Sequence, residues 1–281
     1  MTAAFILSEL QSVGTPEKAV HLSRFFKTGP GQYGEGDQFL GVVVPQTRSI
    51  AKANKATPFD ELQLLLDSPW HEARLCALLI LVYRFQDRKA MPEEREAIFR
   101  FYLKNMRRCN NWDLVDLTCR DIVGEYLVDK DRSLLYRLAE ARIYGNNRIS
   151  IVSTWAFIRR NDFGDTLELS ERLIGHKHDL MHKAVGWMLR EVGQKRSGRR
   201  LPISWNATLL VFLVRRFVTL SSIIRNPSGN ISKEEITWIQ RPSLYFVNGR
   251  KRTIRNRLSR MIRCDSPIGL RRNGILRYRL S

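Results

Sequence analysis

Residues 74–83 read Arg74-Leu75-Cys76-Ala77-Leu78-Leu79-Ile80-Leu81-Val82-Tyr83, one base followed by an unbroken apolar run of nine residues. Ser68-Pro69 stands ahead of this run, and a proline at a helix start is tolerated because its missing N–H has no partner there. Thr57-Pro58 with Asp60, and Met91-Pro92 with Glu93 and Glu94, repeat the device, with acids placed to complement the helix dipole. Together with the spacing of apolar positions, these starts predict helices over 2–13, 16–27, 45–54, 58–67, 69–86, 92–107, 112–128, 132–142, 147–160, 165–174 and 178–194. Alternating patterns are nearly absent, and Val42-Val43-Val44 is too short to build a sheet. The fold class read from the chain is all-α.

A base before an apolar helix recurs at Arg148-Ile149-Ser150-Ile151 and at Lys183-Ala184-Val185-Gly186. Arg74 and Arg148 lie 74 residues apart, twice 37, and Lys183 follows 35 later, while the midpoint, residue 111, falls where a helix begins at Trp112. A period of about 35–40 residues with two helices per unit predicts a HEAT-like helical-repeat solenoid, its recurring bases lining one concave face.

The net charge of +19 is unevenly spread over the 281 residues. Residues 196–281 hold 17 Arg and 2 Lys against 3 acids (Glu234, Glu235, Asp265), which leaves residues 1–195 with a balance of only +3. The organisation expected is a helical domain over 1–195, incomplete at its C-terminal end, followed by an Arg-rich tail over 196–281. The tail reads as aberrant or disordered, such as an out-of-frame translation would give, and its run Arg250-Lys251-Arg252 favours nonspecific nucleic-acid binding. Cys76, Cys109, Cys119 and Cys264 form no CxxC pair and imply free thiols in a reducing, cytoplasmic setting. The N-terminus has no basic region of a secretion signal, and no apolar run approaches the length of roughly 18 residues needed to span a membrane.

Two further patterns carry no site. Gly29-Pro30-Gly31-Gln32-Tyr33-Gly34 is formally GxGxxG, but it follows a helix rather than a strand, and Glu35 and Asp37 would repel phosphates. His176, His178, Asp179 and His182 cluster without a further ligand at a telling spacing, and His178 and Asp179 sit where they cap a helix, so no metal is expected.

Asn110-Asn111-Trp112-Asp113-Leu114-Val115-Asp116 is different. Residues four apart share a helix face, so Trp112 and Asp116 present an aromatic plate beside a carboxylate set among apolar neighbours. On spacing alone, Asp113 complements the helix start and Asp116 makes either a core salt bridge or a functional site.

The run Asn111–Asp116, the stretch Arg148-Ile149-Ser150-Ile151-Val152-Ser153, the segment His182-Lys183-Ala184-Val185-Gly186-Trp187-Met188-Leu189-Arg190-Glu191, and the early Phe39-Leu40-Gly41-Val42 with Pro45 and Arg48 resemble the AlkD-type DNA alkylation repair family. They occur in the family's order over about residues 1–195, and the resemblance stops beyond Lys195. It implies a HEAT-like DNA glycosylase that hydrolyses the N-glycosidic bond of N3- or N7-alkylated purines, such as 3-methyladenine and 7-methylguanine, in double-stranded DNA. It places the catalytic group at Asp116, with Trp112 and Arg148, and DNA contacts at Trp187, Lys183, Arg190, Arg48 and Phe25. It implies no cofactor, no membrane and a monomer. Several positions depart from the family pattern. Gly145 stands where the family has a tryptophan three residues before the arginine, with Tyr144 beside it, and Gly145-Asn146-Asn147 reads as a turn. Phe25 replaces a tyrosine, Val43 replaces a polar residue of some members, and no closing helix pair is recognisable after Lys195.

The chemistry suits one carboxylate. An alkylated purine is already cationic and leaves without a general acid, while positive charge grows on the sugar. A fixed carboxylate stabilises that charge and orients the attacking water. The rival readings are a noncatalytic DNA-binding member of the family and a HEAT-type protein-interaction scaffold.

Overall fold

The computed structural model describes residues 1–30, 32, 34–141, 143–197, 244–247 and 250–253, the strand residues and 196–197 by their backbone alone. Twelve α-helices follow one another among these residues: α1 (Ala3–Val13), α2 (Pro16–Phe25), α3 (Val44–Ala53), α4 (Phe59–Leu66), α5 (His71–Phe85), α6 (Pro92–Lys104), α7 (Trp112–Asp116), α8 (Ser133–Glu140), α9 (Tyr144–Ser153), α10 (Trp155–Ile158), α11 (Gly164–Leu173) and α12 (Asp179–Ser197). The chain divides into two units, Met1–Arg215 and Arg216–Ser281. All the helices belong to the first. In the second, β1 (Leu244–Val247) and β2 (Arg250–Thr253) pair antiparallel with Tyr245 opposite Arg252. The remainder of the segment read as an aberrant tail lies outside the described residues.

The apolar run that opened the reading becomes α5, in which every residue from His71 to Val82 is buried. A helix apolar on all sides must be covered all round, and α5 packs against α1, α3, α4 and α6. Helix α9 plays the same part further along, buried from Asn147 to Ser153 and covered by α7, α8, α11 and α12. Helices α3, α5, α7, α9 and α12 touch in succession, while α4 and α6 back α5, α8 backs α9 and α11 backs α12. The result is a two-layer array of helix pairs, an all-α helical-repeat architecture. No described helix is long and apolar enough to cross a membrane.

The single helix expected over 147–160 is two, α9 and α10, and two further differences bear on the site. The helix expected over 112–128 is interrupted by a π-helical turn at Arg120–Gly124. There Gly124 meets the Ser153 carbonyl so closely that any Cβ would collide with it, and the α7 segment can therefore lie against the end of α9. The turn expected at Gly145-Asn146-Asn147 is instead the first turn of α9. Asn147, 3% exposed, donates from its amide to the carbonyls of Leu138 (3.0 Å), Ala139 (2.8 Å) and Ala141 (2.8 Å). One amide thus serves three acceptors at the end of α8 and just beyond it, where the Leu138 carbonyl also takes the Ala141 N–H, and it outweighs the local turn propensity.

Replacing Asn147 with Ala should lower the unfolding free energy in urea by about 1–3 kcal/mol, since buried carbonyls would lose their donor. A loss under about 0.5 kcal/mol would mean that water takes over the amide's role.

Candidate functional site

Helix α7 starts at Asn111, whose side-chain oxygen accepts the Trp112 N–H at 2.8 Å. Only one regular turn later the helix loosens toward the π-helical turn, and Asp116 is its last residue. Across the layer, Arg148 from α9 donates to both carboxylate oxygens, Nε to Oδ1 at 2.8 Å and Nη2 to Oδ2 at 2.7 Å. This bidentate fork is the strongest geometry available to an arginine and a carboxylate. The same guanidinium donates from Nη1 to the Leu180 carbonyl of α12 at 2.5 Å and to the Tyr144 hydroxyl at 3.4 Å. One side chain thereby fastens α7, α9 and α12. Tyr144 stacks in turn on His178, with centroids 4.4 Å apart.

Asp116 keeps 12% of its side chain exposed and Arg148 5%. Burial pushes the Asp116 carboxyl above its ordinary 3.8 even though Arg148 pulls it down, and the nearby Asp113 adds to the rise. The pair raises the Arg148 guanidinium against the opposing effect of burial, so the contact favours the charged form of both partners and burial opposes it in both. Arginine stays charged at any accessible pH, and the Asp116 direction is therefore the one with consequences.

Trp112 is half-buried and stacks on Phe26 (centroids 5.3 Å), with the exposed Phe25 meeting its edge at 6.0 Å. The structure thus brings Phe25 to Trp112 and Arg148 to Asp116. Trp187 is half-buried on α12 and donates from Nε1 to Glu191 at 3.1 Å. Lys183, exposed on the same helix, pairs with Asp179 at 2.7 Å, and Arg190 makes no ion pair among the described residues. Arg48 stands on α3, with Nη1 3.5 Å from the Tyr83 hydroxyl.

Two expectations are corrected. The recurring bases do not line one open face: Arg148 is 4% exposed and held by Asp116, and Arg74, the base that begins the repeat, is 6% exposed with its Nη2 donating to Asp37 at 2.6 Å. A carboxylate from the preceding loop captures it. Nor does Asp113 merely complement the start of α7. Its side chain is buried, and its Oδ2 accepts from Nε2 of His71 at 2.8 Å. His71 also meets Asp37 through Nδ1 at 3.0 Å. Asp37, which read as a repellent of phosphate, is a buried partner of both His71 and Arg74.

This second cluster was missed by sequence reasoning. Its available signal was His71-Glu72 placed just ahead of the nine-residue apolar run, where two polar residues on a buried helix require partners. Glu72, 1% exposed, accepts the backbone N–H groups of Leu40 (2.9 Å), Gly41 (2.9 Å) and Val42 (3.1 Å) and holds that loop in place. Burial raises Asp37, but the hydrogen bond from His71 and the Arg74 charge outweigh it and leave the carboxyl lowered. Burial lowers His71, but Asp113 and Asp37 prevail and raise it to about 9.

Other chemistries find no purchase among the described residues. Burial raises the thiols of Cys76 and Cys109 to about 12 and that of Cys119 further, so none offers a ready thiolate. No three His, Cys, Asp or Glu side chains converge as metal ligands do. A groove of about 580 Å³ is lined by Lys55, Phe59, Arg84, Asp87 and Glu94, away from Asp116. Four of its charges pair off, Lys55 with Asp87 at 3.5 Å and Arg84 with Glu94 at 3.1 Å.

A family model described as DNA alkylation repair enzyme matches residues 6–201. A solved structure, "Predicted DNA alkylation repair enzyme from Enterococcus faecalis", is 15% identical with a TM-score of 0.49, covering 81% of this chain and 95% of that one. No curated protein matches.

The His71 cluster sets a pH dependence of stability. His71 faces Asp113 of α7 and Asp37 of the loop, with Arg74 beside Asp37. Its proton is held more tightly in the folded than in the unfolded chain, so its contribution is complete below about pH 6.5 and is lost as pH rises through about 9. Unfolding free energy should fall by about 3 kcal/mol across that window, on the order of 1.4 kcal/mol per pKa unit. His71→Gln should be less stable at pH 6 and should lack this slope. An unchanged slope in the variant would assign the titration to another group.

Proposed function

Since the chain belongs to the family of DNA alkylation repair enzymes, we propose that it is a DNA glycosylase that hydrolyses the N-glycosidic bond of N3- or N7-alkylated purines in duplex DNA. The observation that carries this reading is the Asp116 carboxylate, held by the Arg148 fork and placed four residues after Trp112 on the same helix. In such a substrate the base is already cationic, and the sugar acquires positive charge as the bond breaks. A carboxylate fixed beforehand in a mostly water-excluded place stabilises that charge without reorganising. Arg148 orients Asp116 and opposes the tendency of burial to protonate it. Trp112 and the exposed Phe25 offer aromatic surface to the nucleotide, and Lys183 and Arg190 offer cations to phosphates.

One observation favours a second reading. Both Asp116 oxygens are already engaged by Arg148, as in an ion pair that serves only the fold. A noncatalytic DNA-binding member of the family would need no more.

Asp116→Asn separates the two. Under catalysis, single-turnover release of 7-methylguanine from duplex DNA should drop by about 10²–10³, while DNA affinity holds. In the wild-type enzyme, the rate should also fall on acidification at a pH above the ordinary carboxylate value, because burial raises Asp116. Well-folded Asp116→Asn protein with full excision would end the catalytic assignment, and parallel loss of melting temperature, binding and excision would favour the structural ion pair. Lys183→Ala and Arg190→Ala should each reduce the slope of log affinity against log salt by about 1. A slope unchanged in both would remove α12 from the phosphate interface.

A further inference from the structure

We propose that His71 is a positioning residue for the site around Trp112 and Asp116: clamped between Asp37 and Asp113, it holds the start of α7 and, through Phe26, the plane of Trp112. The proposal rests on the glycosylase reading above.

The geometry demands a cation at His71. Both ring nitrogens face carboxylate oxygens, Nδ1 at 3.0 Å and Nε2 at 2.8 Å, and only the imidazolium donates from both. The side chain is 2% exposed, so neither bond is shared with bulk solvent. Arg74 and Asn110 complete the cluster by donating to Asp37 Oδ1 at 2.6 and 2.5 Å. Two cations thus balance two carboxylates in a buried space. Removing the charge of His71 leaves Asp37 and Asp113 with one cation between them.

Two routes connect this clamp to the site. The first is covalent: Asp113 follows Trp112 directly and stands three residues before Asp116, so the clamp seats the first turn of α7. Asn110 reaches the same Asp37 from just before that turn. The second route is a stack of rings. The imidazolium lies on Phe39 (centroids 4.6 Å, planes 22° apart) and against Phe26 (5.0 Å, 33°), and Phe26 lies on Trp112 (5.3 Å, 30°). Fixing His71 therefore fixes the height and tilt of the tryptophan at which the proposed nucleotide contact begins. A buried ionic cluster stabilises a fold poorly compared with apolar packing of the same volume, and setting register is its best-attested use.

The test compares His71→Gln, Phe26→Leu and Leu81→Ala, the last a buried α5 residue outside the cluster that serves as a destabilised control. Each is assayed below its melting temperature for single-turnover release of 7-methylguanine and for affinity to undamaged duplex. His71→Gln should lose excision by about ten- to a hundredfold, the scale of a small misplacement, with affinity kept within about twofold. Phe26→Leu should lose excision in the same direction while retaining the pH dependence of stability, because it breaks the ring route and spares the ion cluster. Leu81→Ala should excise as the wild type does. Wild-type excision in folded Phe26→Leu, or in folded His71→Gln, overturns the proposal. So does an equal loss in Leu81→Ala. Failure of the parent reading is separately visible, as wild-type excision in Asp116→Asn or none in the wild type. In that case the indole N–H resonance of Trp112, assigned with Trp112→Phe, still decides. It should move in His71→Gln and stay in Leu81→Ala, and an unmoved resonance in His71→Gln overturns the positioning role.

Discussion

The Arg148 guanidinium is the constraint on which the rest of the molecule depends. It grips Asp116 at both oxygens and reaches the Leu180 carbonyl, so three successive helices of one layer meet at one side chain. Arg148 is itself positioned by Asn147, whose amide ties the start of α9 to the end of α8. A charge so deeply placed is tolerable because each neighbour supplies an acceptor in good geometry. The cost falls on Asp116, which burial still pushes toward protonation. A carboxylate in that condition serves as a fold contact and, under the proposed function, as the reactive group.

The two charged clusters divide the labour. Arg148 and Asp116 form the first. Asp37, His71, Asp113 and Arg74 form the second, at the first turn of the short helix α7. Asp113 and Asp116 are close enough that the first raises the second. Helix α7 is thus held by ions at its first turn and at its last residue while its aromatic residue rests on Phe26. A helix of five residues has little stability of its own, and these partners replace what length would otherwise provide.

Much of this was legible beforehand where the signal is local. The helix starts at Thr57-Pro58 and Met91-Pro92, the apolar run of α5 and the recurring period announced an all-helical repeat, since capping and periodicity are properties of neighbours in sequence. Trp112 and Asp116 were placed on one face by spacing alone, and Asp116 and Arg148 do meet. The turn read at Gly145–Asn147 was wrong because one buried amide outweighed local propensity. Arg74 was misread, and the partner of Asp113 missed, for a related reason: a base before an apolar run and a carboxylate at a helix start show no sign in sequence of the distant residue that claims them.

What the sequence by itself determined is therefore the alphabet of helices, their order, and the face on which a tryptophan and an aspartate stand together. Those follow from interactions over three or four residues, which the chain carries wherever it folds. Only the tertiary structure decided the partners. His71 finds Asp37 and Asp113 at separations of 34 and 42 residues, and Asp116 finds Arg148 at 32. Which charge is buried, and which remains to meet a substrate, depends on packing between layers, where desolvation makes every unpaired group costly and so selects the pairing.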